Sequence, residues 1–564
     1  MALNASQQWW NRTDGDNTNG GGFDPDHVSV VYNAVAQTLA LSARFGEGVI
    51  ATAGGGTPFA SGDVGKMILD VTTNSGGLAQ ITAFSSSTVV TVRILRPFIG
   101  VSIASSSWKL SDQINYNDQA AAQLSLSDLT STASTTITSV VGGFTSAMIG
   151  NVLRLASGAG TTPGYYVITA RTDTNTITVD AASGTYTLGV GKIGGAFATL
   201  EPLMGTGNGG LNTPAITSPL AAGHTINVRG LGSDDPSAID YNYKGTTTDG
   251  YWSSNPNGSS AAGHIVLRGY NGRPLIQHSG LLVYAVTYWH LENLKFKLVA
   301  SASTFLNYGI IGMDANLRIN TVRNVIVDLN GSDGVGIGAS TVVDCEVRNT
   351  GGGAAGTAPA IYCADYGGEI SGNTIVDVRG NGIQSAGQAP LASSSMTVVN
   401  NIISNVGGDG IKLNHTSYGS VVVGNTIDGC GGDAIEVSEA AMIDGATIKN
   451  NIISNNTGYG IKCSTGTTAL NDRRSTGKID YNNIYNNTAG AYNGISAGAH
   501  DTYLDPQYTN AGALDFSVGA NMKAIGFPGA FRGTTTTGYL DLGAAQRQEA
   551  GGTAGGHVIG GGVG

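Results

Sequence analysis

Two short motifs recur in step between residues 324 and 495, and their recurrence restricts the fold more than any other feature of the chain. The first is Asn-x-Ile or close to it: Asn324-Val-Ile, Asn373-Thr-Ile, Asn401-Ile-Ile, Asn425-Thr-Ile, Asn451-Ile-Ile and Asn483-Ile-Tyr. The second follows eight to ten residues later, as Asn381-Gly-Ile, Asp409-Gly-Ile, Asp433-Ala-Ile, Tyr459-Gly-Ile and Asn493-Gly-Ile. Its isoleucines, Ile383, Ile411, Ile435, Ile461 and Ile495, are separated by 28, 24, 26 and 34 residues. A near-regular period of this size means one structural unit stacked on itself. Each unit holds short β-branched runs between Gly and Asn corners, without an apolar repeat at helical spacing. Stacking such a unit gives a right-handed parallel β-helix, so the expected class is all-β.

Composition agrees with this reading. The 564 residues include 86 Gly and 14 Pro, with 12% charged and 7% aromatic residues. Such a chain disfavours helices and suits strands joined by tight corners. The formal charge of −11 is spread thinly and no Lys/Arg run forms a basic stripe, so nucleic acid is not an expected partner. Cys345, Cys363, Cys430 and Cys463 lie inside the repeat without a Cys-x-x-Cys pair, and read as small apolar fillers of the stack. The start, Met1 to Trp10, has no charged n-region and no apolar h-region, so no signal peptide is expected. No run of 18 apolar residues is present, so no membrane span is expected either. A protein of this kind leaves its cytoplasm by another route, such as cell lysis.

The chain divides into five stretches. Residues 1–45 form an N-terminal arm with Trp9-Trp10 and the acidic stretch Asp14 to Pro25. Aligning Asp14 with the first position of a calcium loop puts Asn19 where Gly belongs and Pro25 where the bidentate Glu belongs. A turn-rich arm that packs its Trp pair is therefore expected. Residues 46–115 and 116–204 resemble each other: Phe59-Ala-Ser-Gly-Asp-Val-Gly and Phe144-Thr-Ser-Ala-Met-Ile-Gly each lead into strands, and Thr176-Ile-Thr-Val alternates as a half-buried strand does. They read as two small β-modules serving as docking or spacer elements. Residues 205–510 form the β-helix, with first coils at Thr225, His264 and Trp289 and an insert between Arg229 and His264. Residues 511–564 form a cap and a Gly-rich tail, which a neighbour in an assembly would have to hold.

Stacked coils lie about 4.8 Å apart, so equivalent positions form columns. The position after the repeat Ile reads Gln384, Lys412, Glu436, Lys462, Ser496, an alternating charge ladder if the coils are in register. The position two before it reads Asn381, Asp409, Asp433, Tyr459, Asn493. Asp409 and Asp433 would then lie about 5 Å apart, near the carboxylate separation of a retaining glycosidase. With Glu436 they are the candidate catalytic acids, although Asp at a Gly-bounded corner is also ordinary turn chemistry. The repeated Asn is explained by side chains hydrogen-bonded along the axis. Tyr241, Tyr243, Tyr251 and Trp252 of the insert are candidate glycan-stacking residues. His290, His415 and His500 have no partner at metal-ligand spacing, so no metal and no cofactor is expected.

On the Asn-x-Ile and Gly-Ile copies, residues 205–543 resemble the parallel β-helix repeat proteins, a group that includes pectate-lyase-like polysaccharide lyases and phage tailspikes. The Leu504-Asp-Pro-Gln-Tyr and Leu540-Asp-Leu-Gly-Ala endings resemble how many bacterial and phage members close, and the front half is similar in style to phage virion proteins. The resemblance implies a bacteriophage structural protein on the virion surface, a capsid decoration protein or a tail or spike component. Its N-terminal region would dock to other virion proteins and its β-helix would project outward. It also implies a homo-oligomer, with a trimer among the options, and host surface polysaccharide as a further partner. Two alternatives stay open: a tailspike-type depolymerase, hydrolase or lyase, and a glycan-binding β-helix without catalysis.

Overall fold

The computed structural model describes residues 8–13, 15–22, 36–44, 48–70, 78–96, 98, 100–111, 122–204, 219–230, 241–243, 258–270, 273–278, 287–298, 320–331, 335–350, 358–363, 368–385, 396–414, 420–438, 446–463, 479–522, 525–526 and 542–544. They are almost entirely strands and turns, and none of their helices is long and apolar enough to cross a membrane. The chain forms two compact units, one running through most of residues 1–295 and the other mainly from Phe296 onward.

The first unit contains two β-modules with separate cores. In the first module, strands from Thr38–Leu41 to Trp108–Ser111 make a seven-stranded antiparallel sheet around Leu39, Phe59, Ile68, Val92 and Trp108. In the second, six strands close into a barrel around Leu129, Phe144, Leu155, Tyr166 and Ile177. The repeated Phe motif builds the same local device in both: a buried Phe ahead of a single 3-10 turn, Ser61–Asp63 or Ser146–Met148. The sheet stays open in one module and closes in the other.

The N-terminal arm packs both tryptophans. Gln8–Asn11 pairs in parallel with Thr225–Arg229, and Ile265–Tyr270 and Trp289–Leu298 follow as further parallel strands. Trp9 is fully buried, stacks near Phe197 and donates its indole N–H to His224 Nδ1 at 3.1 Å. The described polar residues of the arm's acidic stretch bond protein groups. Lys192 and Thr18 bond Asp16, holding its carboxyl well below the usual range, at about 2. Asn17 bonds Thr199, and Asn19 bonds the Ala196 carbonyl.

The second unit contains the right-handed parallel β-helix, with three short strands per full coil. One coil, for example, runs through Thr397–Val399, Ile402–Ser404 and Ile411–Leu413. Each strand pairs in parallel with its equivalent in the next coil. The Asn-x-Ile copy spans the first corner. Asn373, Asn401, Asn425, Asn451 and Asn482 form the internal column, each amide bonding the next at 2.8–3.0 Å. The final rung is thus Asn482, and the expected Asn483 stands one place on, opposite Ile452. At the other end Asn324 is also displaced by one, since the pairing puts Val325, Cys345 and Asn373 in one column. Counting motifs alone misses these slips because Asn also fills the corner itself.

That corner is left-handed. Asn324, Asp344, Gly372, Asn400, Gly424, Asn450 and Tyr481 occupy it in successive coils, all at φ between 50° and 68°. Asp377, Asn405, Gly429, Asn455 and Asn486 repeat the geometry at the second corner. Gly, Asn and Asp tolerate this region best, which explains the Asn-rich composition.

The Gly-Ile motif is the opposite side of the same core. A Cβ on Gly410 would meet Cγ2 of Ile427 at 2.6 Å, and one on Gly382 would meet Cγ2 of Ile403 at 2.8 Å. The Ile of the first motif therefore fills the space left by the Gly of the second, which is why the two recur together. The Ile column itself runs Ile337, Ile361, Ile383, Ile411, Ile435, Ile461 and then Tyr492. Ile337 and Ile361 extend it beyond the motif copies, and Ile495 lies outside it. The four cysteines are buried. Cys345 and Cys430 each sit at a rung position, their N–H bonding Asn373 and Asn456 of the next coil.

Among the described residues after Thr502, several pack against the side of the coils. Phe516 and Ala544 cover Ile402, and Met522 and Leu542 cover Ile452. The rest of the Gly-rich tail lies outside the described residues.

Candidate functional site

The third strand of each coil carries the candidate acids. Its pairing sets Gln384 opposite Lys412, Lys412 opposite Glu436, and Glu436 opposite Lys462. The column continues to Asn493 in place of Ser496. At the preceding corner, backbone N–H groups bond the side chain one coil back: Asp409 to Asn381, Asp433 to Asp409, and Tyr459 to Asp433, at 2.7–2.8 Å. Each carboxylate thus uses its Oδ1 to fix the next corner, as turn chemistry requires.

The second oxygens are taken by the lysines. Lys412 Nζ lies 3.1 Å from Asp409 Oδ2 and also bonds Glu436 Oε2. Lys462 Nζ lies 2.7 Å from Asp433 Oδ2 and 3.6 Å from Glu436 Oε1. Three nearly buried carboxylates therefore share two half-exposed ammonium groups. Burial, and then Glu436 at its side, push the Asp409 carboxyl above its ordinary value. Burial works against the Lys412 charge, but Glu436 and Asp409 outweigh it and hold that ammonium above the usual lysine value. Lys462 is raised chiefly by its bond to Asp433. Chemically, this is a closed network in which both oxygens of Asp409 and of Asp433 are occupied. Asn381 completes its edge by donating to Gln384 at 2.8 Å.

The structure thus brings Asp409, Asp433 and Glu436 together. Of the aromatic candidates, Tyr241 and Tyr243 lie in the short strand Tyr241–Tyr243 of the other unit, and Tyr251 and Trp252 lie outside the described residues. His415 also lies outside them. His290 Nε2 is 3.6 Å from Glu292 Oε2. Among the described residues no group of three or more His, Cys, Asp or Glu side chains is placed to hold a metal ion.

His500 has a partner that its sequence position conceals. Its Nδ1 is 2.8 Å from Asp480 Oδ2, and its ring stacks on Tyr481 with centroids 4.4 Å apart. Nothing in a one-dimensional spacing joins residues 480 and 500. The available signal was Tyr481 itself, a tyrosine in a column otherwise filled by Asn, Asp and Gly, legible only after the one-residue slip at Asn482 is corrected.

Residues 320–505 match the family described as Right handed beta helix region. No curated protein sequence matches the chain. Among solved structures, the A-module of the Azotobacter vinelandii mannuronan C-5 epimerase AlgE4 is similar at 15% identity, over 50% of this chain and 91% of that chain, with a TM-score of 0.21. Identity and score at that level say nothing of shared chemistry.

Proposed function

We propose that this chain is a structural protein on the surface of a bacteriophage particle, a capsid decoration or tail or spike component. Its N-terminal modules dock to other virion proteins, and its β-helix serves as a projecting wall. The observation that carries the reading is on the second β-module. Although its core is complete, it leaves Val140, Val141, Leu188 and Val190 on the surface, Val140 at 91% exposure. Asp128 accepts the Val141 N–H, and Leu188 and Val190 flank Gly189, the partner of neighbouring Leu129 on the same strand. Apolar side chains grouped on a self-sufficient module mark a contact surface. The closed lysine–carboxylate network supports a wall that is structural.

The test is incorporation. Val140→Asp with Leu188→Asp should cut the protein's copy number on purified particles at least tenfold, while far-UV circular dichroism of the isolated chain stays native. Full incorporation of the double variant, or absence of the native protein from particles, would sink the reading. A second reading, a polysaccharide depolymerase, draws on the raised Asp409 carboxyl beside Glu436, since an upward-shifted carboxyl pKa suits a general acid.

A further inference from the structure

The last described coil breaks a rule that every other coil obeys. The first corner is filled by Asn324, Asp344, Gly372, Asn400, Gly424 and Asn450, and then by Tyr481 at φ 58°. A bulky residue in the left-handed region is strained, and such strain is kept where a side chain has to be presented in one place. The surroundings fix what is presented. Asp480 Oδ1 accepts the backbone N–H of Tyr481 at 3.0 Å and of His500 at 2.7 Å, and its Oδ2 takes the His500 imidazole. One nearly buried carboxylate thus fixes the His500 ring and the backbone that carries the Tyr481 ring. Burial works to raise its pKa, but the bonds from His500 outweigh that and keep it below the ordinary value. The stacked imidazole keeps 57% of its side chain exposed.

The neighbouring residue locks the adjoining segment. Asp501 terminates the internal asparagine column, accepting the Asn482 backbone and side-chain N–H groups, the Gly498 N–H and the Tyr492 hydroxyl. Thr502 then bonds Asn483. The chain emerges from these contacts with Tyr503 52% and Leu504 45% exposed. Burial and then the Asp501 charge raise the Tyr503 hydroxyl pKa.

We infer that Tyr481 and His500 form a carbohydrate-binding subsite, its ring faces receiving the C–H face of a pyranose and His500 Nε2 receiving a sugar hydroxyl. In the neutral ring Nδ1–H is committed to Asp480, so Nε2 carries the lone pair and accepts. Rigid rings fixed by a shared carboxylate bind with little ordering cost. Two carboxylates under the platform and a chain charge of −11 disfavour a phosphate backbone, so the ligand is a neutral glycan rather than a nucleic acid.

The full chain is applied at pH 8 to an array of defined hexasaccharides, with gluco-, galacto-, manno- and N-acetylglucosamine-configured neutral members, uronate members, and a (dT)12 oligonucleotide. At least one neutral sugar should be retained, with retention falling at least tenfold in His500→Ala. The decisive variant is Tyr481→Asn, which installs the residue type of Asn400 and Asn450. It should lose retention tenfold while its melting midpoint stays equal or rises, separating loss of the site from loss of the fold. Retention of no neutral sugar, retention unchanged in the two variants, a lowered midpoint in Tyr481→Asn, or His500-dependent retention of (dT)12 would each overturn the inference.

Discussion

Asn425→Ala should destabilise the β-helix by about 4 kcal/mol, read from urea unfolding of the full chain. Asn425 is fully buried and its side chain makes four bonds. Its Oδ1 accepts the backbone and side-chain N–H groups of Asn401 at 3.0 and 2.9 Å. Its Nδ2 donates to the Val398 carbonyl at 2.9 Å and to Asn451 Oδ1 at 3.0 Å. Truncation leaves those four groups short of a partner where water cannot replace it, at roughly 1 kcal/mol each. The comparison is Asn405→Gly at the exposed second corner, which loses one surface bond to Asp377 and relieves a φ of 52°. That variant should stay within about 0.5 kcal/mol of the native chain. Equal effects at the two positions would mean that the internal column carries no special share of stability.

Lys412→Met should cost about 2 kcal/mol at neutral pH. Removing one partner from a fully buried ion pair costs about 3–5 kcal/mol, and the part of Lys412 still open to solvent lowers that figure. Methionine keeps most of the aliphatic stem, so the loss reports the charge. Its pH dependence has a definite sign. The Asp409 pKa is already raised in the folded chain, so folding favours the protonated carboxyl. The variant's deficit should therefore be small below the ordinary carboxylate value of 3.8 and grow as pH rises through the raised folded value. In the native chain the Lys412 pKa is raised above 10.5. Its contribution is complete below 10.5 and is lost as pH rises through the folded value. Chemical denaturation of both chains between pH 3 and 11 measures the two limbs, and a pH-independent difference would contradict the network.

The fold was legible because the β-helix writes each structural column as a repeated letter. Asn373, Asn401, Asn425 and Asn451, and Ile383, Ile411, Ile435 and Ile461, were all placed in their true columns by spacing alone. The ends were misread by one residue at Asn324 and Asn483 and by three at Ile495, because Asn serves both as internal rung and as left-handed corner. The Lys412–Glu436–Lys462 alternation also followed from register. What spacing could not supply was the direction of each side chain: that the aspartates would spend one oxygen on the next corner and the other on a lysine. The His500–Asp480 pair was hidden for a different reason. It joins a coil strand to the segment that returns across its edge, and no periodicity links the two.

The central claim is that the repeat, including its acid cluster, is scaffold. The most direct measurement compares the native chain with Asp409→Asn/Asp433→Asn on capsular polysaccharide from the host of the proposed particle, following reducing ends and unsaturated products. Asparagine keeps the Oδ1 acceptors for Asp433 and Tyr459, so the corners persist while both carboxylates are gone. The account predicts no chain cleavage by the native protein, and a double variant that folds with a lower melting midpoint. Cleavage by the native chain that disappears in the folded double variant would contradict it.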